Sequence, residues 1–220
     1  MRIRIKPNSF FVFDLDDTLF PEITFLQSAF KAIADRLTPM IRVAIYEDMW
    51  QRYTNGENVF QWIIDQYQEA VPQITMHDLL KAYREHMPDI KLRTGAAALL
   101  NHLTALSIPA GLITDGRSIT QRNKLKALRL DNYFSDVIIS EEFGSAKPDE
   151  RNYRYFQDKY PDREFYYFGD NTTKDFVAPA RLGWTTCCIK DNGTHIHPQS
   201  FTGQPYPSNL IASFDEIQLL

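Results

Sequence analysis

The sequence predicts an α/β fold in which a parallel sheet is covered by helices and carries an inserted block of helices. Beyond residue 90, short apolar runs of strand length alternate with helical patterns. Residues 10–13 place Phe and Val in succession, which is typical of a strand buried on both faces of a parallel sheet. Residues 21–90 instead show only the three- and four-residue spacing of amphipathic helices.

Length and composition are those of a chain that can bury a full core. The chain has 220 residues, of which 44% are hydrophobic and 13% aromatic. This suits one large domain, or a core domain that carries a smaller inserted one. The formal net charge is -4 and the sequence has no long basic run, so we expect no nucleic-acid partner.

The two cysteines and the start of the sequence bear on the cellular compartment. Cys187 and Cys188 are neighbours in an apolar strand and point to opposite faces, so we expect buried free thiols in a reducing compartment. Residues 1–6 are basic and lack the apolar stretch of a signal peptide. No run approaches the ~18 apolar residues of a membrane span. We therefore expect a soluble cytoplasmic protein with no membrane partner.

The first long strand ends in a cluster of acidic residues, Asp14-Leu15-Asp16-Asp17-Thr18. In parallel sheets, ligands bind beyond the carboxyl ends of the strands. Carboxylates this close repel one another, and hard oxygen ligands without His or Cys nearby favour Mg²⁺ over zinc. A polar turn is the alternative for an isolated Asp-x-Asp. A helix-loop-helix calcium site is excluded, because Leu19 and Phe25 stand where it needs Gly and Glu.

The helical block of residues 21–90 contains four amphipathic segments. Pro39 is predicted to begin the second, and Thr75 with Asp78 forms a capping signal for the fourth. Four aromatic side chains of this block could line a substrate pocket, although their helical spacing favours the core: Tyr46, Trp50, Tyr53 and Trp62.

Three later strands are also followed by polar stretches. Thr114-Asp115-Gly116-Arg117 follows residues 110–113, and taken alone it is a common turn. Lys147-Pro148 follows residues 136–140, and the proline is expected in the first turn of a helix. The stretch from Gly169-Asp170 to Asp175 follows residues 164–168. Residues 191–207 are rich in Gly, Pro and polar residues, so we expect a loop there. His195 and His197 could be metal ligands, but no third ligand accompanies them, which favours the loop.

Together these stretches resemble the four motifs of the haloacid dehalogenase-like (HAD) hydrolase superfamily, in the family's order. Asp14-Leu15-Asp16-Asp17-Thr18-Leu19 resembles motif I, and Thr114-Asp115-Gly116 resembles motif II. Lys147-Pro148 resembles motif III, and Gly169-Asp170 with Asp175 resembles motif IV. The resemblance implies a Rossmann-like three-layer core formed by residues 1–20 and 91–220. Residues 21–90 would form an all-helical cap that closes over the active site.

The resemblance further implies a phosphatase that forms an aspartyl-phosphate on Asp14. Asp16 would protonate the leaving group and then deprotonate water; an acid at this position favours phosphoryl transfer over dehalogenation. Thr114, Lys147 and the backbone at Asp115, where the family often has Asn, would bind the substrate phosphate. The implied ligands of Mg²⁺ are Asp14, the main-chain carbonyl of Asp16, Asp170 and, directly or through water, Asp175.

The expected substrate is a small phosphorylated metabolite. A phosphomutase of the beta-phosphoglucomutase type could use the same groups if its intermediate were shielded from water. A non-catalytic phosphate-binding module is the other alternative. The first differs from a phosphatase in its product, and the second would be favoured by loss of a motif residue.

Overall fold

The computed structural model describes residues 1–202 and 206–220. The chain forms two compact units, one made of Met1–Ile23 and Lys91–Leu220 and the other of Thr24–Ile90. The assignment of residues 1–20 and 91–220 as a core domain and of 21–90 as a cap domain stays a prediction.

The larger unit contains the sheet and the helices that follow its strands. Its strands are β1 (Arg2–Ile3), β2 (Ser9–Phe13), β3 (Ala110–Thr114), β4 (Asp136–Ile139), β5 (Glu164–Gly169), β6 (Thr185–Ile189), β7 (Asn209–Ile211) and β8 (Gln218–Leu219). The helices up to residue 90 are α1 (Glu22–Ile41), α2 (Tyr46–Thr54), α3 (Val59–Tyr67) and α4 (Met76–Glu85). Those beyond it are α5 (Ala96–Ala105), α6 (Ser118–Ala127), α7 (Ser140–Phe143), α8 (Arg151–Lys159), α9 (Val177–Arg181) and a 3-10 turn, Phe214–Glu216.

The main sheet has six parallel strands in the order β4-β3-β2-β5-β6-β7, which gives the α/β, Rossmann-like fold expected from the sequence. The chain runs outward from β2 through β3 to β4, and then places β5 on the other side of β2. Strand β2 therefore lies at the point where the strand order reverses, which is where open α/β sheets bind ligands.

Aromatic side chains bury both faces of β2. On one face, Phe10 lies in an apolar cluster with Tyr153 and Phe156 of α8. On the other face, Phe11 and Phe13 stack on Phe168 of β5. This arrangement explains why the strand is a continuous apolar run rather than an alternating one.

The register of the strands brings their polar ends to one edge. Phe13 pairs with Leu112 on one side and with Phe168 on the other. Asp14 follows directly, and its backbone N–H donates to the carbonyl of Phe168 over 2.8 Å. Asp14, Thr114 and Asp170 consequently leave neighbouring strands at the same end of the sheet.

The helical unit differs from the predicted pattern in two respects. Helix α1 continues through Pro39 to Ile41, so the prediction that Pro39 begins the second helix is wrong. Ile41 is buried, and Arg42 ends the helix at a φ of 60° while its N–H bonds the carbonyl of Thr38. The four aromatic side chains favoured as core residues are only partly buried: Tyr46, Trp50, Tyr53 and Trp62.

The two chain segments that flank the helical unit are joined within the larger unit. The N–H of Arg93 donates to the carbonyl of Leu19 over 2.8 Å. The Arg93 guanidinium also lies 3.5 Å from the carboxylate of Asp17, and both side chains are largely buried. The points where the chain leaves and re-enters the larger unit are therefore neighbours.

Several smaller predictions can be compared with the structure. Pro148 lies in a turn, with a cis peptide bond to Lys147, and α8 begins only at Arg151, so its predicted place in the first turn of a helix is wrong. Cys187 and Cys188 are free and buried, as expected. Among the residues that the structure describes, no helix is long and apolar enough to cross a membrane.

Gly111 of β3 offers a test of the packing beneath the site. A Cβ at this position would overlap the ring of Phe156, and the backbone there is not in the left-handed region. We expect Gly111→Ala to lower the free energy of unfolding by about 1–3 kcal/mol through overpacking, measured by urea denaturation. Gly111→Ala/Phe156→Leu should lose less than the sum of the two single changes, because the smaller side chain leaves room. Additive losses would contradict this explanation.

Candidate active site

Three carboxylates from the carboxyl ends of β2 and β5 lie together with one ammonium group from the segment that follows β4 and α7. Oxygen atoms of Asp14, Asp170 and Asp175 all lie within 4.8 Å of one another. The Nζ of Lys147 lies 2.5 Å from Oδ1 of Asp14 and 2.8 Å from Oδ1 of Asp175. All four residues are buried. We call this set the carboxylate cluster.

Hydrogen bonds from neighbouring groups hold the carboxylates of the cluster in place. The hydroxyl of Thr18 lies 3.3 Å from Oδ2 of Asp14 and 3.3 Å from Oδ1 of Asp170. Oδ2 of Asp175 accepts the backbone N–H groups of Asp170 and Asn171 over 3.1 and 2.9 Å. Asp175 is therefore the acceptor that closes the turn after β5, in addition to being a candidate metal ligand.

Gly169 is required by the close approach of Asp175. A Cβ at Gly169 would lie 2.6 Å from Oδ2 of Asp175. The glycine that the motif places before Asp170 thus leaves space for the carboxylate that holds the turn.

Burial and the neighbouring charges both act on the pKa values in the cluster. Burial raises the pKa of Asp14 and of Asp170, and Asp175 adds to the increase in both. Burial acts to lower the pKa of Lys147, but Asp14 and Asp175 outweigh it and hold that pKa well above its usual range. When all three carboxylates are ionised, the one ammonium group leaves two negative charges uncompensated.

The cluster fits a hard divalent cation. Its donors are carboxylate oxygens within the span of one coordination shell, and a cation would neutralise the charge that Lys147 leaves over. Asp16 is not in this set of side chains, because its carboxylate turns to α6. There it accepts from Lys124 over 2.6 Å and from Gln121 over 2.9 Å.

The predicted phosphate-binding residues lie around the cluster. Asp115 accepts the backbone N–H of Lys147 over 3.1 Å and pairs with Lys174 over 2.8 Å. The hydroxyl of Thr114 accepts from Gln121 over 2.5 Å. A small pocket reaches from the carboxylate cluster to the predicted phosphate-binding residue Asp115. It is lined by Asp14, Asp16, Glu22, Asp115, Asp170, Asn171, Lys174 and His197.

The loop after β6 contributes more to the site than expected. Residues 191–202 and 206–207 contain no helix or strand, as predicted, and residues 203–205 of the predicted loop lie outside the described residues. His195 of this loop does, however, have acidic neighbours. A ring nitrogen of His195 lies within 4.8 Å of carboxylate oxygens of Asp17 and Asp170, which corrects the expectation that no further ligand accompanies it. Its Nδ1 is 3.6 Å from Oδ2 of Asp170, and the side chain is fully buried.

Asp17 connects the loop after β6 to motif I by a hydrogen bond. Its Oδ2 accepts the backbone N–H of Ile196 over 2.8 Å, and its Oδ1 accepts that of Glu22 over 2.9 Å. Asp17 adopts a φ of 53°, a conformation that aspartate tolerates better than most residues. Asp17, the third carboxylate of motif I, thus holds the loop after β6 and the start of α1 through hydrogen bonds.

Sequence reasoning missed Gln121, Lys124, Glu22 and Lys174. Gln121 and Lys124 are three residues apart and share one face of α6, and this spacing can be read from the amino-acid sequence. That face turns towards Asp16, which only the structure reveals. Glu22 and Lys174 carry no comparable signal in the sequence.

Comparisons with known proteins agree with these observations. The family model described as haloacid dehalogenase-like hydrolase matches residues 11–189. The chain is 28% identical over 195 residues to glyceraldehyde 3-phosphate phosphatase of Methanocaldococcus jannaschii, covering 81% of this chain and 83% of that protein. It is 29% identical over 221 residues to pyrimidine 5'-nucleotidase YjjG of Escherichia coli K12, covering 94% and 95%.

A solved structure has the same fold. The magnesium-bound HAD-hydrolase YfnB of Bacillus subtilis superimposes with a TM-score of 0.61 at 21% identity, covering 96% of this chain and 97% of that one. The family match spans most of the chain and includes all four motifs that the sequence analysis identified. The chain therefore belongs to the haloacid dehalogenase-like hydrolase family, as a member of the phosphatase type.

Proposed function

We propose that the protein is a Mg²⁺-dependent phosphatase that hydrolyses a small phosphomonoester metabolite through an aspartyl-phosphate on Asp14. The observation that carries the proposal is the position of Asp14. It is buried at the end of the central strand, contacts Lys147 and shares a pocket with Asp16. An anionic nucleophile and a proton-transfer group thus face the same small space.

The surroundings of Asp14 suit attack on an anionic phosphoryl group. The ammonium group of Lys147 offsets the repulsion between a phosphate dianion and the attacking carboxylate. Asp14, Asp170 and Asp175 would hold the cation with the main-chain carbonyl of Asp16, and the bound cation would supply further positive charge at the phosphoryl oxygens. The hydroxyl of Thr114 and the backbone beyond Asp115 would hold those oxygens from the other side.

The relatives narrow the chemical class of the substrate. The two relatives described above act on glyceraldehyde 3-phosphate and on pyrimidine 5'-nucleotides, and both substrates are small phosphomonoesters. The magnesium in the YfnB structure supports the choice of cation. We propose a substrate of this class for the present chain.

The test is phosphate release from a panel that includes glyceraldehyde 3-phosphate, phosphoserine, pyrimidine 5'-nucleotides and sugar phosphates. We expect Mg²⁺-dependent release that EDTA abolishes and that Asp14→Asn reduces at least 10³-fold, because the variant lacks the nucleophile. Retained activity in a pure Asp14→Asn sample would exclude Asp14 as the nucleophile. If an isomerised sugar phosphate appeared in place of inorganic phosphate, the protein would be a mutase. If an ester bound without being turned over, the protein would be a phosphate-binding module.

The pair formed by Asp115 and Lys174 yields a second prediction. Asp115 brings a negative charge beside the predicted phosphate site, and Lys174 neutralises it over 2.8 Å. Lys174→Met should therefore raise KM for a phosphomonoester roughly 3–10-fold, about 1 kcal/mol of binding free energy, with a smaller change in kcat. Asp115→Asn/Lys174→Met should restore KM to within about 2-fold, since neither charge then remains. A double variant as weak as Lys174→Met would contradict this role.

Glu22 provides a prediction about pH and metal removal. Burial, with the nearby carboxylate of Asp16, raises the pKa of Glu22 from 4.5 to about 8. The folded protein therefore holds a proton that the unfolded chain releases, so its free energy of unfolding in EDTA should fall between about pH 5 and pH 8. Glu22→Gln should show a smaller fall, measured by urea denaturation at each pH.

Mg²⁺ should oppose this loss. Because cation binding needs deprotonated carboxylates, Mg²⁺ should raise Tm more at about pH 8 than at about pH 6. An identical pH dependence in wild type and Glu22→Gln would exclude Glu22 as its source.

A further inference from the structure

Helix α6 buries three polar side chains, Thr120, Gln121 and Lys124, and the last two contact Asp16. Gln121 is 1% exposed and Lys124 is 3% exposed. A buried ammonium group is costly unless it is paired. Their spacing of three residues places both side chains on one face of the helix, towards the end of β2.

Both groups donate to the same carboxylate. The Nζ of Lys124 lies 2.6 Å from Oδ1 of Asp16, and the Nε2 of Gln121 lies 2.9 Å from Oδ2. Each oxygen of Asp16 therefore has its own donor, which fixes both the position of the carboxylate and its rotation. A carboxylate fixed in this way loses little conformational entropy when it reaches the geometry for proton transfer.

Gln121 also contacts the hydroxyl of Thr114. Its Nε2 lies 2.5 Å from Oγ1 of Thr114, so one amide group bridges Asp16 and Thr114 with its two N–H bonds. Since Thr114 accepts this hydrogen bond, its own hydroxyl hydrogen can be donated elsewhere. Donation to a phosphoryl oxygen is the use that the motif implies.

The turn after β3 leaves room for this bridge. Gly116 adopts a φ of 145°, and a Cβ there would come within 3.1 Å of the Gln121 amide group. A Cβ at position 116 would therefore press against the Gln121 amide group that makes the bridge.

We propose that Gln121 and Lys124 are positioning residues that hold Asp16 in place for proton transfer and direct the hydroxyl of Thr114 towards the substrate. The inference rests on the proposed phosphatase function and adds two residues to it. Each donor contacts a different oxygen of Asp16, so the two residues together fix the carboxylate on the side that faces α6.

The position of Asp16 affects both chemical steps of the proposed reaction, because Asp16 transfers a proton in each. In the first step an Asp14 oxygen bonds to phosphorus, the bond from phosphorus to the alcohol oxygen breaks, and the proton of Asp16 passes to that oxygen. In the second step the Asp16 carboxylate takes a proton from water as the water oxygen bonds to phosphorus. The bond to Asp14 then breaks, and orthophosphate leaves.

Two substrates with different leaving groups separate loss of proton transfer from general disturbance of the site. An alkoxide needs the proton of Asp16, whereas p-nitrophenolate is stable enough to leave without it. The rate of phospho-enzyme formation is measured by rapid quench with p-nitrophenyl phosphate and with an alkyl phosphate drawn from the panel. The variants are Lys124→Met and Gln121→Leu.

We expect both variants to slow phospho-enzyme formation from the alkyl phosphate roughly 10–100-fold, but from p-nitrophenyl phosphate by less than about 3-fold. Lys124→Arg should recover part of the loss, because it retains a donor and a charge. Lys126→Met removes the same charge from an exposed position of α6 and should match wild type. If Lys124→Met does not fold, Gln121→Leu and Lys124→Arg still allow the comparison.

Equal losses with both substrates would overturn the inference, because general disturbance of the site does not depend on the leaving group. Unchanged rates with the alkyl phosphate would overturn it as well. A wild-type protein that forms no phospho-enzyme from any ester would overturn the proposed function itself, and with it this inference.

Discussion

The site depends on the burial of Lys147 among the carboxylates at the end of the sheet. Its ammonium group contacts Asp14 and Asp175 at once, so two strand ends are held together by one cation. Removing it would leave three carboxylates buried without a counter-charge, an arrangement that costs several kcal/mol. The strand register, the small residue at Gly169 and the hydrogen bonds of Asp175 all keep these charges at the distances at which Lys147 can pair them.

The fold could be predicted where one local pattern decides it. The apolar run of β2 has aromatic partners on both faces, and such a run fits only a central strand. Pro39 misled because a proline removes only one backbone donor, and the buried Ile41 keeps the last turn of α1 in place. The pairing of β1 with β8 joins the two ends of the chain over more than 200 residues, and no local pattern indicates it.

The site could be predicted in part for the same reason. Asp14, Asp170 and Asp175 follow strands, and the parallel topology alone brings strand ends together. Gln121, Lys124 and His195 belong to a hydrophilic helix and an irregular loop, where polar residues are ordinary. Their burial depends on partners in distant segments, such as Asp16, which precedes Lys124 by 108 residues. A periodicity of three or four residues shows which face of a helix is shared, but not which strand end that face meets.

The bond between Arg93 and Leu19 has a consequence for the history of the chain. Because the chain leaves and rejoins the larger unit at adjacent points, the intervening segment can change in length or sequence without altering any strand pairing. Evolution can then exchange the segment Thr24–Ile90 while the sheet and the carboxylate cluster are inherited intact. The same junction marks where an engineer could graft a different segment, with Asp17 and Arg93 kept as the closing ion pair.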